Sequence, residues 1–546
     1  MSGGATSAST VAAAFAASVM RYPRHDFLQV LPETAAAFGV EARTWTYSQA
    51  AQEVTRLRDA YAAAGYGYGH RAGLLLLNRP EFLFHFIALN ALGVSVVPIS
   101  PEWRGAELEY LIEHSEICVA ASVPERVGVL AAAAAAIGRQ LVLTGPAGEA
   151  LAPATQPAPA AAPTSDLDSE CALLYTSGTT GRPKGCVLPN EYFLYAGRWY
   201  NEIGGLCQVR PGVERMLTPL PMMHMNAMAC STMCMILAGG CLVLLDRFHP
   251  SQWWQSVRTS RATIVHYLGI MPAILLAAEE SPDDRSHEVR FGFGAGVNPQ
   301  HHAAFEARFG FPLLEAWAMT ETGAGAVLIA NREPRYVGTA CIGVAEPAVE
   351  CRIVDDCGSD AAPGNAGELW VRHSGARPSF GFFRCYLKDE AATAEAWSGG
   401  WFHTGDLVTR DAHGVMRFVD RKKNVIRRSG ENISAVEVES VLSQHPAVRT
   451  AAVTAVPDAL RGDEVFACIV AQGTVDDPET LARELVALCR ERLAYYKAPG
   501  YVAFCSSVPL TRTEKIQRSL LKELGRRLLE QQRCIDLRAL KRREAP

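Results

Sequence analysis

The chain has 546 residues, of which 49% are hydrophobic and 20% are charged, and its formal net charge is -5 at pH 7. A single hydrophobic core rarely grows beyond about 300 residues, so this length predicts at least two domains. The weakly negative net charge gives no sign of the basic surface that binds nucleic acid. No apolar run reaches the roughly 18 residues that cross a bilayer, so we expect a globular protein without a nucleic-acid partner or a membrane span.

The 15 cysteines indicate the compartment. The closest two, Cys230 and Cys234, lie in a Met-rich apolar stretch, and the chain has no Cys-x-x-Cys pair. This pattern favours buried reduced thiols over a zinc site, and reduced thiols are typical of the cytoplasm. The Ala-rich residues 11–20 follow no basic residue, so we interpret them as a first helix and not as a signal peptide.

Apolar periodicity predicts an α/β fold for most of the chain. Residues 52–64 and 80–92 have a helical pattern, and residues 72–77 and 94–97 are strand-like, which together predict a doubly wound sheet. Strand-like residues 349–354, 367–371 and 415–419 then predict a β-rich subdomain. A smaller α+β pattern follows, with helix starts at Ser434 and Asp477. We therefore predict a large N-terminal domain, 1–419, and a small C-terminal α+β domain, 420–546.

Residues 176–185 form the most informative motif, Thr-Ser-Gly-Thr-Thr-Gly-Arg-Pro-Lys-Gly, directly after the apolar residues 172–175. Glycines let backbone N–H groups face an anion, hydroxyl groups add donors, and Lys184 adds positive charge. The common nucleotide P-loop ends in Gly-Lys-Ser/Thr, which this motif lacks. A flexible polar loop is the alternative, but the preceding strand and the Pro-Lys-Gly ending favour phosphate binding.

This motif resembles the signature loop of the adenylate-forming superfamily, which contains acyl-CoA synthetases, amino-acid adenylation domains and beetle luciferases. The resemblance extends over nearly the whole chain, and it implies a C-terminal domain that is mobile. It also implies that the loop binds the β- and γ-phosphates of ATP. The residues that this resemblance assigns to ATP are Thr176, Ser177, Gly178, Thr179, Thr180, Gly181 and Lys184.

Residues 316–322, Ala-Trp-Ala-Met-Thr-Glu-Thr, resemble a second motif of the superfamily. The resemblance implies that Glu321 binds Mg2+, that Thr320 bonds the α-phosphate and that Trp317 stacks near the adenine. A carboxylate is the hard oxygen ligand that Mg2+ prefers. Trp317 and Ala318 stand where the superfamily commonly has Tyr and Gly.

Two further segments resemble the superfamily's nucleoside contacts. Small residues at 294–296 match the segment on which the adenine lies flat. Thr-Gly-Asp at 404–406 implies that Asp406 accepts hydrogen bonds from the ribose hydroxyls, with Arg421 as a second ribose contact. A plain turn is the alternative for either segment. The residues assigned to the adenine are Gly294, Ala295 and Gly296.

The C-terminal domain carries three more matches. Residues 510–516, Leu-Thr-Arg-Thr-Glu-Lys-Ile, resemble the motif whose lysine, here Lys515, bridges the substrate carboxylate and the α-phosphate. Lys423 matches the hinge about which the domain rotates between two half-reactions. Residues 427–433 resemble the loop that lines the pantetheine tunnel for coenzyme A, with Gly430 in the tunnel and with Arg427 and Arg428 as partners of the CoA phosphates.

The acid-binding residues follow from the same resemblance. Residues 221–230 match the acyl-pocket segment, in which His224 moves between the acyl carboxylate and the CoA tunnel. Asn226 is the polar side chain of this Met-rich wall, and Met228 is part of it. Gly323 and Gly325, directly after the second motif, would leave depth for a ring or a medium chain.

The resemblance implies an ATP-dependent, AMP-forming acid–CoA ligase with ATP, Mg2+, coenzyme A and a small carboxylic acid as its partners. The overall pattern, particularly residues 420–439, is most similar to crotonobetaine/carnitine-CoA ligases, but neutral Asn226 favours an uncharged acid. Crotonobetaine or carnitine activation, loading of a carrier protein and an adenylate-binding sensor stay open as alternatives. A homodimer also stays open.

Overall fold

The computed structural model describes residues 8–149, 151–158, 166–176, 182–297, 299–355, 357–421, 426–429, 431–433, 435–509, 516 and 518–541. A large part with α/β sheets and a β-rich sheet precedes a smaller α+β part, which confirms the predicted fold class. The division at residue 420 stays a prediction. In these ranges no helix has both the length and the apolar character needed to cross a bilayer.

The helices begin where the sequence provides caps. Thr46 and Gln49 form a reciprocal capping box at the start of the helix Tyr47–Ala63, and Asp477 caps the helix Pro478–Arg492. The described α-helices are α1 (Val11–Arg21), α2 (Pro32–Phe38), α3 (Tyr47–Ala63), α4 (Pro80–Ala91), α5 (Gly105–Ser115), α6 (Pro124–Ala136), α7 (Asn190–Glu202), α8 (Thr232–Ala238), α9 (Trp253–Ser260), α10 (Ile270–Leu276), α11 (Pro299–Phe309), α12 (Glu390–Ala396), α13 (Ala435–Leu442), α14 (Pro478–Arg492) and α15 (Arg518–Glu530).

The strands of the larger part are mostly short and apolar, as buried parallel strands are. They are β1 (Asp26–Val30), β2 (Arg43–Thr46), β3 (Arg71–Leu75), β4 (Ser95–Pro98), β5 (Val119–Ser122), β6 (Val142–Thr144), β7 (Glu170–Thr176), β8 (Lys184–Pro189), β9 (Arg215–Thr218), β10 (Cys241–Leu244), β11 (Ile264–Leu268), β12 (Phe291–Ala295), β13 (Leu313–Trp317), β14 (Leu328–Ile329), β15 (Cys341–Gly343), β16 (Val349–Val354), β17 (Ala366–His373), β18 (Cys385–Tyr386), β19 (Phe402–Arg410) and β20 (Met416–Arg421).

These strands form three sheets in the described residues. One has the order β14-β13-β12-β11-β9-β10-β1-β2, parallel except at its two edges. The second has the order β18-β8-β7-β4-β3-β5-β6, in which β8 runs antiparallel to both of its neighbours, β18 and β7. The third, β15-β20-β19-β17-β16, is antiparallel throughout.

Helix α7 lies deep in the core, where it positions the centre of the site. Tyr192, Phe193 and Tyr200 on this helix are fully buried. Burying a large apolar side chain stabilises a fold by roughly 1.5–3 kcal/mol, so α7 is held firmly in place. The helix packs against α8 and against the π-helix Asn226–Ser231.

The smaller part builds a sheet from β21 (Ile426–Arg428), β22 (Glu431–Ile433), β23 (Val448–Asp458), β24 (Gly462–Ala471), β25 (Tyr501–Phe504) and β26 (Ile535–Asp536). A buried ion cluster joins the smaller part to the larger part. Lys497 lies 2.7 Å from Glu107 on α5 and 2.9 Å from Glu437 on α13. Burial raises the pKa of Glu107 to about 7 against the attraction of Lys497. Burial alone would lower the pKa of Lys497, but the two carboxylates together raise it well above its ordinary value.

Candidate active site

The predicted phosphate loop connects two antiparallel strands. Thr176 at the end of β7 pairs directly with Lys184 at the start of β8, so both ends of the loop meet at one point of the sheet. Tyr110 on α5 supports the returning arm, because its hydroxyl group donates to the carbonyl of Pro183 at 3.0 Å. Five predicted ATP contacts fall outside the described residues and stay predictions: Ser177, Gly178, Thr179, Thr180 and Gly181.

Glu321 lies at the mouth of this hairpin. Its Oε1 atom accepts hydrogen bonds from Thr176 Oγ1 at 3.3 Å and from the Tyr386 hydroxyl group at 3.0 Å. The Lys184 ammonium lies 4.7 Å from the centre of the Tyr386 ring. A lysine, hydroxyl donors and a buried carboxylate therefore meet in one place. The arrangement fits a magnesium site, because Oε2 takes no part in these two bonds and carboxylate oxygen is the ligand that Mg2+ prefers.

Tyr386 was not predicted from the sequence. It reaches the site on β18, a two-residue strand that pairs antiparallel with β8. Burial and the neighbouring Glu321 carboxylate raise the pKa of its hydroxyl group well above its ordinary value. Tyr386 therefore stays protonated and donates to Glu321. Thr320, the predicted α-phosphate contact, is positioned next to Glu321, where its carbonyl accepts from the Tyr192 hydroxyl group at 2.9 Å.

Trp317 and Asp406 are bonded to each other. The indole N–H of Trp317 donates to Asp406 Oδ2 at 2.8 Å, and Asp406 is 1% exposed. A tyrosine at position 317, which is common in the superfamily, has no indole N–H, so this bond depends on the tryptophan. Arg421 is the backbone pairing partner of Asp406 in the β19–β20 pair. Adenine stacking on Trp317 and ribose binding by Asp406 and Arg421 stay predictions.

The predicted adenine segment is shaped by close backbone packing. A Cβ atom on Gly294 would lie 2.3 Å from the carbonyl oxygen of Tyr267, so only glycine fits there. Gly296 has a φ of +79°, and its N–H and that of Val297 donate to the buried carboxylate of Glu315 at 3.1 Å. Ala295 and Gly296 are exposed at the end of β12, which leaves a flat surface. Glu315 was missed in the sequence, although it lies two residues before Trp317 on β13.

His224 lies where the two parts of the molecule meet. Its Nε2 atom is 4.0 Å from Glu431 Oε2 on β22, and its side chain is 47% exposed. A cavity of about 180 Å³ opens here between the two parts. The residues that border it include Ile99, Met222, Met223, Ser429, Glu431 and Tyr495. The predicted CoA loop therefore reaches the predicted acyl segment.

The two arginines of the CoA loop differ. Arg427 places its guanidinium 4.7 Å from the ring centre of Phe418 and remains our predicted phosphate partner. Arg428 is 2% exposed, and its Nε donates to Glu464, which also binds Lys541. Arg428 therefore shares one carboxylate with Lys541, and it also borders the cavity, so its binding to a CoA phosphate stays a prediction. Gly430, Lys423 and Lys515 lie outside the described residues and stay predictions.

Three predicted acid-binding residues are corrected by the structure. A Cβ atom on Gly323 would lie 2.3 Å from the Tyr192 ring, and one on Gly325 would lie 2.4 Å from the Phe382 ring. These glycines allow close packing against their neighbours and leave no depth for a substrate. Met228 is 0% exposed and belongs to the core instead of a pocket wall. Asn226 is half-buried and bonds His266, which the sequence did not single out.

Comparisons with known proteins agree with this geometry. The family model for AMP-binding enzymes matches residues 17–387, and the model for the C-terminal domain of AMP-binding enzymes matches residues 437–515. The chain is 30% identical to the crotonobetaine/carnitine–CoA ligase of Shigella flexneri over 494 residues, which cover 88% of this chain and 93% of that protein. A ligase of the same name from Escherichia coli O8 (strain IAI1) is 31% identical, with the same coverage.

Two solved structures of o-succinylbenzoate CoA synthetase from Bacillus subtilis are each 25% identical to this chain and cover 93% of it. The double mutant bound with its product analogue OSB-NCoA matches with a TM-score of 0.78 over 98% of its own chain. The complex with the acyl-adenylate intermediate OSB-AMP gives 0.63 over 97%. By its family matches, its relatives and its fold, the chain belongs to the AMP-binding enzyme family and is an AMP-forming acid–CoA ligase.

Proposed function

We propose that the enzyme activates a neutral, largely apolar carboxylic acid as its acyl-adenylate and then transfers the acyl group to coenzyme A. The observation that carries the proposal is the convergence of Thr176, Lys184, Tyr386 and Glu321 at the mouth of the β7–β8 hairpin. Donors and a cation there suit a triphosphate, and the carboxylate suits the Mg2+ that accompanies it.

In the first step, a carboxylate oxygen of the acid attacks the α-phosphorus of ATP, and pyrophosphate leaves. Lys184 and the hairpin donors stabilise the charge on the leaving phosphates, while Thr320 and Lys515 act at the α-phosphate. Glu321 would hold Mg2+, which neutralises phosphate charge when bound. Asp406 and Arg421 position the ribose, and the exposed backbone at Ala295 and Gly296 receives the base.

In the second step, the thiol sulfur of coenzyme A attacks the acyl carbon, and AMP leaves. The contact of Glu431 with His224, and the cavity beside them, support entry of the thiol from between the two parts. The higher similarity to the structure bound with OSB-NCoA supports the same assignment. We infer that Arg427 and the loop through Gly430 guide coenzyme A, and that Lys423 is the hinge for the change between steps.

The choice of acid is the finer part of the proposal. A quaternary ammonium requires a carboxylate or open aromatic faces. Asn226 is neutral, and of the nearby rings Tyr200 and Phe293 are buried and pack against each other in a tilted pair with ring centres 4.8 Å apart. The betaine alternative is favoured by the identity to the crotonobetaine/carnitine–CoA ligases and by the half-buried ring of Trp199, 6.3 Å from Phe293.

Pyrophosphate release with hexanoate and with crotonobetaine tests this choice. We expect kcat/KM for hexanoate to exceed that for crotonobetaine by about tenfold or more, since 1.4 kcal/mol of differential binding gives that factor. A preference for crotonobetaine would overturn the neutral-acid proposal. Replacing coenzyme A by a holo-carrier protein as acceptor should stop thioester formation. A faster reaction with the carrier would show that coenzyme A is not the acceptor of this enzyme.

A further inference from the structure

A relay of buried polar groups lies beneath Asn226. The Tyr200 hydroxyl group on α7 is 2.9 Å from Nε2 of His266 on β11. Nδ1 of His266 is 2.6 Å from Oδ1 of Asn226 and 3.0 Å from Oγ of Ser231, both on the π-helix Asn226–Ser231. Tyr200 and His266 are 0% exposed, so these groups must satisfy one another.

The position of each proton follows from this burial. Among the described residues, Nε2 of His266 is the sole hydrogen-bond partner of the Tyr200 hydroxyl group. A buried hydroxyl proton without an acceptor is costly, so Tyr200 donates and Nε2 accepts. Burial lowers the pKa of His266 to about 3, so near neutral pH the ring carries a single proton. That proton must then be on Nδ1.

The protonated Nδ1 fixes the amide of Asn226. At 2.6 Å an N–H group requires an acceptor, so the Asn226 oxygen faces His266. Because the amide group is planar, its NH2 points away from the relay. In the part of the chain that the structure describes, this NH2 donates to no protein group, and Asn226 is half-buried. The Ser231 hydroxyl group donates to the backbone carbonyl of Asn226 at 3.1 Å, so it does not donate to Nδ1 and is a second, longer acceptor for the Nδ1 proton.

We propose that the Tyr200–His266 relay holds the NH2 group of Asn226 toward the acyl cleft, so that the enzyme selects acids with a neutral hydrogen-bond acceptor, such as a ketone oxygen, at that depth. This inference rests on the proposed function, in which Asn226 borders the acyl cleft. Tyr200 and His266 are positioning residues, and Asn226 determines specificity. A quaternary ammonium has no acceptor and meets the positive ends of two N–H dipoles, so it is disfavoured.

Matched pairs of acids test the selection. Hexanoate is compared with 5-oxohexanoate, and 4-ethylbenzoate with 4-acetylbenzoate, each by kcat/KM for pyrophosphate release. One neutral hydrogen bond contributes about 1 kcal/mol, so in at least one pair we expect the ketone to be favoured about fivefold or more. If the ketone gains nothing in either pair, the inference is overturned.

Three variants locate the origin of the preference. Asn226→Asp keeps an oxygen for His266 and turns an acceptor toward the cleft, so the preferred ketone should lose its advantage and 6-aminohexanoate should gain at least severalfold over hexanoate. The double variant Tyr200→Phe, His266→Leu removes both polar groups of the relay, so neither is left buried without its hydrogen-bond partner. It also frees the Asn226 amide to rotate. The ketone preference should then fall although Asn226 is retained. Tyr195→Phe, on the same helix, is the matched control and should keep it. A preference unchanged in the first two variants would overturn the inference.

The relay can also be tested without turnover. In protein with 15N-labelled histidine, long-range 1H–15N NMR spectra distinguish the two neutral tautomers, and loss of the signal in His266→Leu assigns it. We expect a neutral ring protonated at Nδ1 at pH 7. A proton on Nε2 would overturn the inference even in an active enzyme. If none of the acids released pyrophosphate while the Nδ1 tautomer was observed, the proposed function would be at fault and the relay would stand.

Discussion

Tyr386 contacts two of the residues that we assign to ATP and its metal ion. Its hydroxyl group donates to Glu321 at 3.0 Å, and its ring lies 4.7 Å from the Lys184 ammonium. The hydroxyl group orients the carboxylate, and the ring attracts the cation by its negative face. We therefore regard Tyr386 as the residue that fixes the relative position of the predicted metal ligand and the phosphate lysine.

Tyr386→Phe should weaken metal-dependent catalysis without removing the cation–π contact. Losing one hydrogen bond to a charged group costs about 1.5–3 kcal/mol, so pyrophosphate release should fall roughly tenfold or more at low Mg2+. High Mg2+ should restore part of the rate. Tyr68→Phe, at an exposed residue, serves as the control. A Mg2+ dependence unchanged from that of the wild type would show that Tyr386 does not position the carboxylate.

The sequence predicted some residues and not others for physical reasons. Glu321 and Asp406 were predicted from contiguous motifs, and the structure places them next to Thr176 and Trp317. Gly323 and Gly325 were misinterpreted, because a small residue can leave a space open or admit a neighbouring ring. Tyr386 and His266 belong to no local pattern. They reach the site through strand pairing and through packing between distant elements.

At the scale of elements, helix α5 and the turn at Lys497 hold the two parts of the molecule together. Among the described residues, Lys497 bridges two buried carboxylates, those of Glu107 and Glu437. With both acids ionised, two like charges lie close together in a poorly solvated place, which is unfavourable. A proton on Glu107 removes one of these charges, in agreement with a pKa raised to about 7 by burial.

The docking of the two parts should therefore weaken as the pH rises through about 7. When the parts separate, Glu107 faces water and returns toward its ordinary pKa of 4.5, so docking takes up a proton between these two values. Lys497 is charged in both the docked and the separated state over this range, so it does not contribute to the pH dependence of docking. Small-angle X-ray scattering from pH 5.5 to 8.5 should show a more open average shape at the higher pH.

Two variants test the direction of this pH effect and the group that causes it. Glu107→Gln removes the titrating carboxylate, so docking should persist and its pH dependence should vanish. Lys497→Met leaves two carboxylates facing each other, which costs about 3–5 kcal/mol for a broken buried pair, and should open the molecule. Scattering curves of Glu107→Gln that still change with pH would assign the dependence to another group.

The elements themselves could largely be predicted from sequence. Asp477 and Pro478 predicted the start of α14, and the strand-like residues 349–354 match β16. The sequence carries no signal for the arrangement of the two parts. It depends on contacts between residues far apart in the chain, such as Glu107 with Lys497, which are 390 residues apart.

At the scale of the whole molecule, we propose that one site performs two reactions and that a different face of the smaller part meets the site in each of them. The arrangement in this structure brings Glu431 within 4.0 Å of His224, which suits thioester formation. Lys515 is predicted to serve the other step, in which charge develops at the α-phosphate. The two half-reactions should therefore be separable by mutation.

Lys515→Ala should lose adenylation and keep thioester formation. Removing a charge that binds mainly in the transition state should slow pyrophosphate release by on the order of 100-fold or more. Supplied acyl-AMP and coenzyme A should still give the thioester at a rate near that of the wild type. Equal loss in both half-reactions would mean that Lys515 is not specific to the first step.

The most direct test of adenylate chemistry follows an oxygen atom. An acid that releases pyrophosphate is labelled with 18O in its carboxylate and incubated with the enzyme, ATP, Mg2+ and coenzyme A, and the products are analysed by mass spectrometry. Attack of the carboxylate on the α-phosphorus, followed by thioester formation, predicts that one 18O atom appears in the phosphate of AMP and that none appears in pyrophosphate. Unlabelled AMP, or ADP as the nucleotide product, would contradict an acyl-adenylate as the intermediate of this enzyme.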